Sequence, residues 1–162
     1  MDDIRIQRLK TDAGERLRAN RLRALQDAPH AFEATYEESA ARPPESWKRQ
    51  LADLATFVAV DGEHDVGMVR GGPHSILADT AYLISMWVAP EALGRGVGQA
   101  LIQAIVQWAK ATGYARVVLD VGTHNTRAIA LYARSGFVAV DEPRPLPAPR
   151  EHLREQQMAR VL

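Results

Sequence analysis

Residues 82–113 read YLISMWVAPEALGRGVGQALIQAIVQWAKATG, and the passage from strand to helix within them decides the fold. Tyr82, Ile84, Met86 and Val88 point one way along an extended segment; Leu83 and Trp87 point the other, with Ser85 between them. Both sets are mostly apolar, as expected for a strand buried on two faces. Pro90 cannot continue a ladder and stops the strand. Gly94, Gly96 and Gly98 then alternate with Arg95 and Val97 and lead straight into an amphipathic helix. Its apolar stripe is Val97, Leu101, Ala104, Ile105 and Trp108, and Gly113 stands where a C-cap glycine belongs.

The start of that helix carries the chemistry. About four backbone N–H groups lack intrahelical partners there, and the helix end bears roughly half a positive charge. Glycines remove the Cβ atoms that would keep another molecule off the main chain, and they tolerate positive φ. Phosphate is the group such a site suits. The plainer reading is a tight strand–helix turn, but three alternate glycines exceed what a turn needs. Two familiar phosphate loops fail residue by residue. A Walker A loop needs Lys and then Ser or Thr after its last glycine, whereas Gly98 is followed by Gln99 and Ala100. A dinucleotide fingerprint needs Gly three places after its second glycine, and counting from Gly94 or Gly96 that place holds Gln99 or Leu101.

Outward from this core, Ile4–Leu9 alternates as a first strand, and Asp12 can cap a helix running to about Leu25. Arg16, Arg18, Arg21 and Arg23 read most simply as its solvated face. From Gln26 to Pro44 the chain reads as irregular, with Glu33, Glu37 and Glu38 beside Phe32 and Tyr36; Pro43-Pro44 opens a short helix through Trp47 to Leu54. Residues 56–60 and 65–70 form a hairpin that Gly71-Gly72-Pro73 breaks. Beyond Gly113 come a strand over 115–121, a helix over about 126–134 closed by Ser135-Gly136-Phe137, and a strand beginning at Phe137. Pro143, Pro145, Pro147 and Pro149 predict a stiff loop that holds no ladder, before a terminal strand from about Arg154. The strand–helix–strand around Gly96 implies a parallel crossover and the hairpin implies antiparallel partners, so the fold class is α/β, a mixed sheet flanked by helices.

The 162 residues suit one domain, 1–162. A formal charge of zero recommends neither nucleic acid nor an anionic membrane as partner. No apolar run approaches the roughly 20 residues of a membrane span, and Met1-Asp2-Asp3 lacks a basic-then-apolar leader pattern. Without cysteine there is no thiolate nucleophile or thiolate metal site, and a reducing, cytoplasmic setting is compatible. Five scattered histidines give no metal-ligand spacing.

Between Thr80 and Val140 the chain resembles the GNAT superfamily of acetyl-CoA-dependent N-acetyltransferases. The family signature, Gln/Arg-x-x-Gly-x-Gly/Ala after a strand ending in V-x-P, is matched by Val88-Ala89-Pro90 and Leu93-Gly94-Arg95-Gly96-Val97-Gly98. Leu93 replaces the Gln or Arg of the first position. Asn125 and the run Leu131-Tyr132-Ala133-Arg134-Ser135-Gly136-Phe137 match the end of the family core. The resemblance implies a central mixed, mostly antiparallel sheet and acetyl-CoA as cosubstrate. It implies cofactor contacts from Arg95, Gly96, Val97, Gly98, Gln99 and Ala100, and from the backbone of Met86 and Val88 where the central strand splays. It also implies a pantetheine contact from Asn125, which otherwise reads as an N-cap, and a general acid at Tyr132, which otherwise reads as a half-buried core aromatic.

No cysteine and no nucleophile-elbow serine are present, so direct attack of an amine on the thioester is the expected route. An alkyl amine of pKa near ~10.4 lies about 3.4 units from neutrality, a penalty of about 4.6 kcal/mol that a base must offset. Glu37 and Glu38, in the segment that lines the acceptor site in the family, are the candidate bases, with Asp120 and His124 as others. The acceptor is expected to be a small-molecule, amino-acid or peptide amine, without nucleic acid or membrane as partner, and a homodimer is compatible. Leu93 and the unassigned base also motivate a second reading, a non-catalytic acyl-CoA sensor on the same fold.

Overall fold

A computed structural model describes residues 3–162. Met1 and Asp2, part of the stretch read above for a leader pattern, lie outside the described residues. In chain order the elements are β1 (Ile4–Leu9), α1 (Gly14–Asp27), a 3-10 turn (Pro29–Ala31), α2 (Tyr36–Ala40), α3 (Pro44–Asp53), β2 (Ala55–Asp61) and β3 (His64–Pro73). They continue with β4 (Thr80–Val88), a 3-10 turn (Pro90–Ala92), α4 (Val97–Thr112), β5 (Arg116–Gly122), α5 (Thr126–Arg134), β6 (Val138–Pro145) and β7 (Arg154–Val161). The strands form one seven-stranded sheet in the order β1-β2-β3-β4-β5-β7-β6. Every pairing is antiparallel except β4–β5, the parallel crossover made through α4.

Two adjacent glycines show how helices cover both faces. A Cβ on Gly71 would meet Trp108 and Ile105 of α4, whereas one on Gly72 would meet Leu54 at the end of α3. Neighbouring residues of a strand face opposite ways, so α4 lies on one face and α3 on the other. α4 is held by its buried stripe Val97, Leu101, Ile102, Ile105, Val106 and Ala109, wider than the periodicity alone indicates. On the opposite face, Trp87 donates to Asp27 at the end of α1 at 2.9 Å.

Several expectations are corrected. Asp12 does not cap α1: the capping position is Ala13, which has no side-chain cap bond. The stretch 26–44 is not irregular throughout but contains α2, whose N-cap Thr35 accepts from the Glu38 N–H at 3.1 Å. Gly71-Gly72-Pro73 continues β3, because those glycines make room for the helices above and below. Pro143 and Pro145 belong to β6, and Pro145 pairs with Arg154; β6 is an edge strand, where the missing N–H can face away from the ladder. The α1 arginines are not simply a solvated face: Arg16 grips Asp65 with both ends of its fork at 2.8 and 2.7 Å, and Arg21 is only 5% exposed.

The central strand also departs from simple alternation. Met68 pairs with Trp87 and Arg70 with Ile84, leaving Ser85 and Met86 opposite Val69 alone. Ser85 sits at φ 60. This is a β-bulge, which kinks β4 at mid-length.

Candidate active site

β4 and β5 pair only through Thr80–Arg116, Ala81–Val117 and Tyr82–Val118, then separate. The bulge at Ser85 lies three residues beyond the last of those pairs. A cleft of about 450 Å3 opens in the gap. Its floor is the kinked part of β4 and the end of β5; α5 and residues 30–34 form walls. Arg150 of the proline-rich loop lines it too, and donates to the carbonyls of His30 at 3.0 Å and Phe32 at 3.4 Å.

Beyond the bulge, the Ala89 N–H donates to Val66 of β3 at 2.8 Å. Strand N–H groups alternate in direction, so that of Val88 turns away from β3 toward the gap, while Met86 sits in the bulge itself. These are the two main-chain positions that the family resemblance singles out.

At α4 the four donors expected at a helix start are all present. Gly96 is the N-cap at φ 77, with no side-chain cap. The first intrahelical bond runs from the Ala100 N–H to the Gly96 carbonyl at 3.1 Å. Ala100 therefore does not offer its N–H to a ligand, and the donors left over are those of Gly96, Val97, Gly98 and Gln99. A Cβ at Gly96 would meet nothing within 4 Å, so the approach is open. Gly98 plays a different part: its Cβ would lie 2.7 Å from Leu131, and the missing atom lets α5 pack against α4. Arg95 is held by Asp61 of the β2–β3 turn at 2.9 Å. Leu93 is 42% exposed just ahead of the loop. A row of open donors without side-chain cover fits a diphosphate.

Tyr132 of α5 lines the cleft and is 6% exposed, its ring edge-on to Phe137 at 6.0 Å. Burial pushes its phenol above the ordinary tyrosine range, so it holds its proton at neutral pH. Asn125 lines the cleft as well and is also the N-cap of α5, its Oδ1 accepting from the Ala128 N–H at 3.2 Å. The cap reading of Asn125 is thus observed, at a residue that also borders the cleft.

The acidic candidates separate. Asp120 faces the cleft, where the Tyr82 hydroxyl donates to its Oδ2 at 2.7 Å. His124 lines the mouth, its ring folded over the bare Cα of Gly122. Glu37 and Glu38 are exposed on α2 and do not line the cleft. Two acids not singled out from the sequence do, Glu33 at the rim and Glu155 on β7. Glu155 pairs with Gly122, and Asp120 with Gln157, which puts Asp120 and Glu155 on one face of neighbouring strands. Burial, and then the Asp120 charge, raise the Glu155 carboxyl above its usual value; Arg144 opposes this and Glu33 adds to it. Burial and the bond to Asp120 likewise raise the Tyr82 phenol, which therefore remains a donor.

Comparison with known proteins agrees with this geometry. Residues 20–137 match the model of the acetyltransferase (GNAT) family. A mycothiol acetyltransferase of Arthrobacter sp. (strain FB24) is 35% identical over 126 residues, covering 73% of this chain and 37% of that protein. Human N-acetyltransferase 8 is 34% identical over 84 residues, covering 50% of this chain and 37% of that one. The matched stretch thus spans little more than a third of these relatives' own length. A GNAT-family acetyltransferase of Streptococcus pneumoniae superposes with a TM-score of 0.81 at 18% identity, over 99% of this chain and 100% of that one. A PaiA N-acetyltransferase of Thermoplasma acidophilum in complex with coenzyme A does so at 0.73 and 18%, over 99% of each chain.

Proposed function

The chain belongs to the acetyltransferase (GNAT) family, and on that footing we propose that it moves an acetyl group from acetyl-CoA directly to a primary amine of a small molecule, amino acid or peptide. Three features together carry the reading. Four uncapped donors begin α4, the Val88 N–H turns from β3 beyond the β4 bulge, and an acid pair lies across the gap beside a protonated tyrosine.

Each part has a physical task. The N–H groups of Gly96, Val97, Gly98 and Gln99 grip the diphosphate of acetyl-CoA, which supplies the activated acetyl group. The N–H groups of Met86 and Val88 receive the carbonyl oxygen as negative charge grows on it. Glu155, its carboxyl raised by burial and by Asp120, takes a proton from the acceptor nitrogen. A bond from that nitrogen to the acetyl carbon replaces the carbon–sulfur bond, and Tyr132 offers its proton to the departing sulfur. Tyr132 then recovers a proton from solvent. Asn125 supports the start of α5 and so the position of Tyr132.

Proteins similar in sequence include a mycothiol acetyltransferase, and proteins similar in fold include a ribosomal-protein-alanine N-acetyltransferase and a spermidine N-acetyltransferase chimera. Acceptors that different leave the acceptor of this chain to be found on its own residues. The test is thiol release from acetyl-CoA in the presence of an amine panel, with the acetylated amine identified by mass. Release that depends on an amine supports transfer. Acetyl-CoA binding without release on any amine would instead favour a sensor.

A further inference from the structure

The cleft holds two buried guanidinium groups that no anion among the described residues accompanies. Arg21 of α1 and Arg70 of β3 both line it, at 5% and 7% exposure. Arg21 stacks on Phe32 at 4.9 Å, and its Nη1 is buried with no hydrogen-bond partner. Arg70 donates to Ser85 at 2.9 Å and to Gln50 at 2.7 Å, both neutral. Among the described residues neither arginine belongs to an ion pair. Burial lowers Arg21 to about 10 and Arg70 to about 9, and Arg70 is further opposed by Arg21 and Arg42. Both stay charged at neutral pH. Two like charges buried side by side without a counter-ion are costly to hold, and the cost disappears when an anion arrives.

The opposite wall has the opposite sign. The sheet order places β3 on one side of β4 and β5 and β7 on the other. Arg70 therefore stands at the β3 wall, with Arg21 of α1 close enough for its charge to oppose that of Arg70, and Asp120 and Glu155 stand at the β5–β7 wall, with the Ser85 bulge between them. Counting Arg150 and Glu33, three arginines face three acids, and the cleft as a whole is close to neutral. The open donors of α4 are not part of this lining, so the diphosphate and the arginine pair answer to different anions.

We infer that the acceptor is an amine that also carries a carboxylate, an amino acid or peptide-like molecule whose anion is bound by Arg21 and Arg70 while its amine faces Asp120 and Glu155. This rests on the acetyltransferase reading and narrows it. A neutral zwitterion matches a charge-balanced cleft better than a polyamine, which would leave the arginine pair unaccompanied. It also matches better than a phosphate dianion, which would overload the site.

Matched acceptors test the inference. Glycine, β-alanine, 4-aminobutyrate, 6-aminohexanoate and the protein amino acids are compared with their carboxamides, with alkylamines of the same length, with spermidine and with O-phosphoethanolamine. The expected result is a kcat/KM for the best carboxylate acceptor at least about 30-fold above its carboxamide, carried mainly by KM; roughly that factor is what one buried charged contact is worth. Arg21→Met should reduce the ratio to about 3-fold or less. It should also raise the melting temperature of the ligand-free protein, because it removes an unpaired buried charge; a merely structural arginine would lower it. Equal turnover of carboxylate and carboxamide, or preference for spermidine or O-phosphoethanolamine, overturns the inference while leaving the acetyltransferase reading standing. Failure of acetyl-CoA to bind would overturn both.

Discussion

α4 and α5 pack together at Gly98 and Leu131, and they treat their first turn in opposite ways. α5 satisfies itself, with Asn125 at its N-cap accepting from Ala128. α4 has an N-cap glycine at φ 77 and no side-chain bond. The difference follows from what else holds each helix. α4 buries Leu101, Ile102, Ile105, Val106 and Ala109 across the sheet, which far outweighs the roughly 1 kcal/mol that a cap supplies. In α5 only Tyr132 is buried, so the cap is a real part of its support. A helix that can do without a cap is free to leave its donors to a ligand. On the proposed reading, that separates a binding terminus from a structural one.

Substitutions can break this distinction, and the largest effect is expected at the open terminus. Gly96→Val puts a β-branched side chain at φ 77 and in front of the donors. Acetyl-CoA affinity should fall by about 100-fold or more, measured by calorimetry, with a stability loss of about 1–2 kcal/mol from the left-handed backbone. A loss of stability without loss of affinity would make α4 an ordinary helix start.

Next in size are the groups across the gap. Glu155→Gln should lower kcat/KM about 100-fold while acetyl-CoA affinity stays within a factor of about 2. Because the folded carboxyl is raised, the base works only after that carboxyl ionises, so the acid limb of the wild-type pH–rate profile should lie above the ordinary glutamate range. The sign for stability is opposite: a raised acid favours the fold below its unfolded pKa and loses that contribution as pH rises through its folded value. At neutral pH the glutamine variant should therefore be no less stable than wild type, as a melting curve would show. Tyr132→Phe should reduce kcat by roughly 10-fold with affinity unchanged, since the ring still packs on Phe137. An unaltered kcat would remove the tyrosine from proton delivery.

The smallest effect sharpens the comparison from the capped side. Asn125→Ala should cost about 1 kcal/mol of stability, and Asn125→Asp should restore most of it. If acetyl-CoA binding weakens in both variants while stability recovers in the second, the amide contacts the ligand as well as the helix.

How much of this could be read from the chain depended on the range of the interaction. The passage from Val88 to Gly113 is local: a proline, three glycines and a heptad-like stripe act on their own neighbours, and the structure repeats them. The Asn125–Phe137 unit is legible for the same reason. Arg21 is not, because helix periodicity cannot tell a solvated arginine from one sealed by Phe32. Ser85 adopts a left-handed backbone only because the β3 register demands a bulge there. Glu155 reaches the cleft because β7 inserts between β5 and β6, a pairing of the last strand with one more than thirty residues earlier. Glu37 and Glu38 stand on α2, a helix the sequence does not announce, which turns them outward and leaves Glu33 at the rim.

On the proposed reading, the amides opening α4 hold a diphosphate. Amide NMR shifts of Gly96, Val97, Gly98 and Gln99, followed on titration with coenzyme A and in parallel with pantetheine, test it directly. Large shifts of these four with coenzyme A, absent with pantetheine and absent at Ala100, are the predicted result. Saturable coenzyme A binding that leaves the four amides where they were would contradict it.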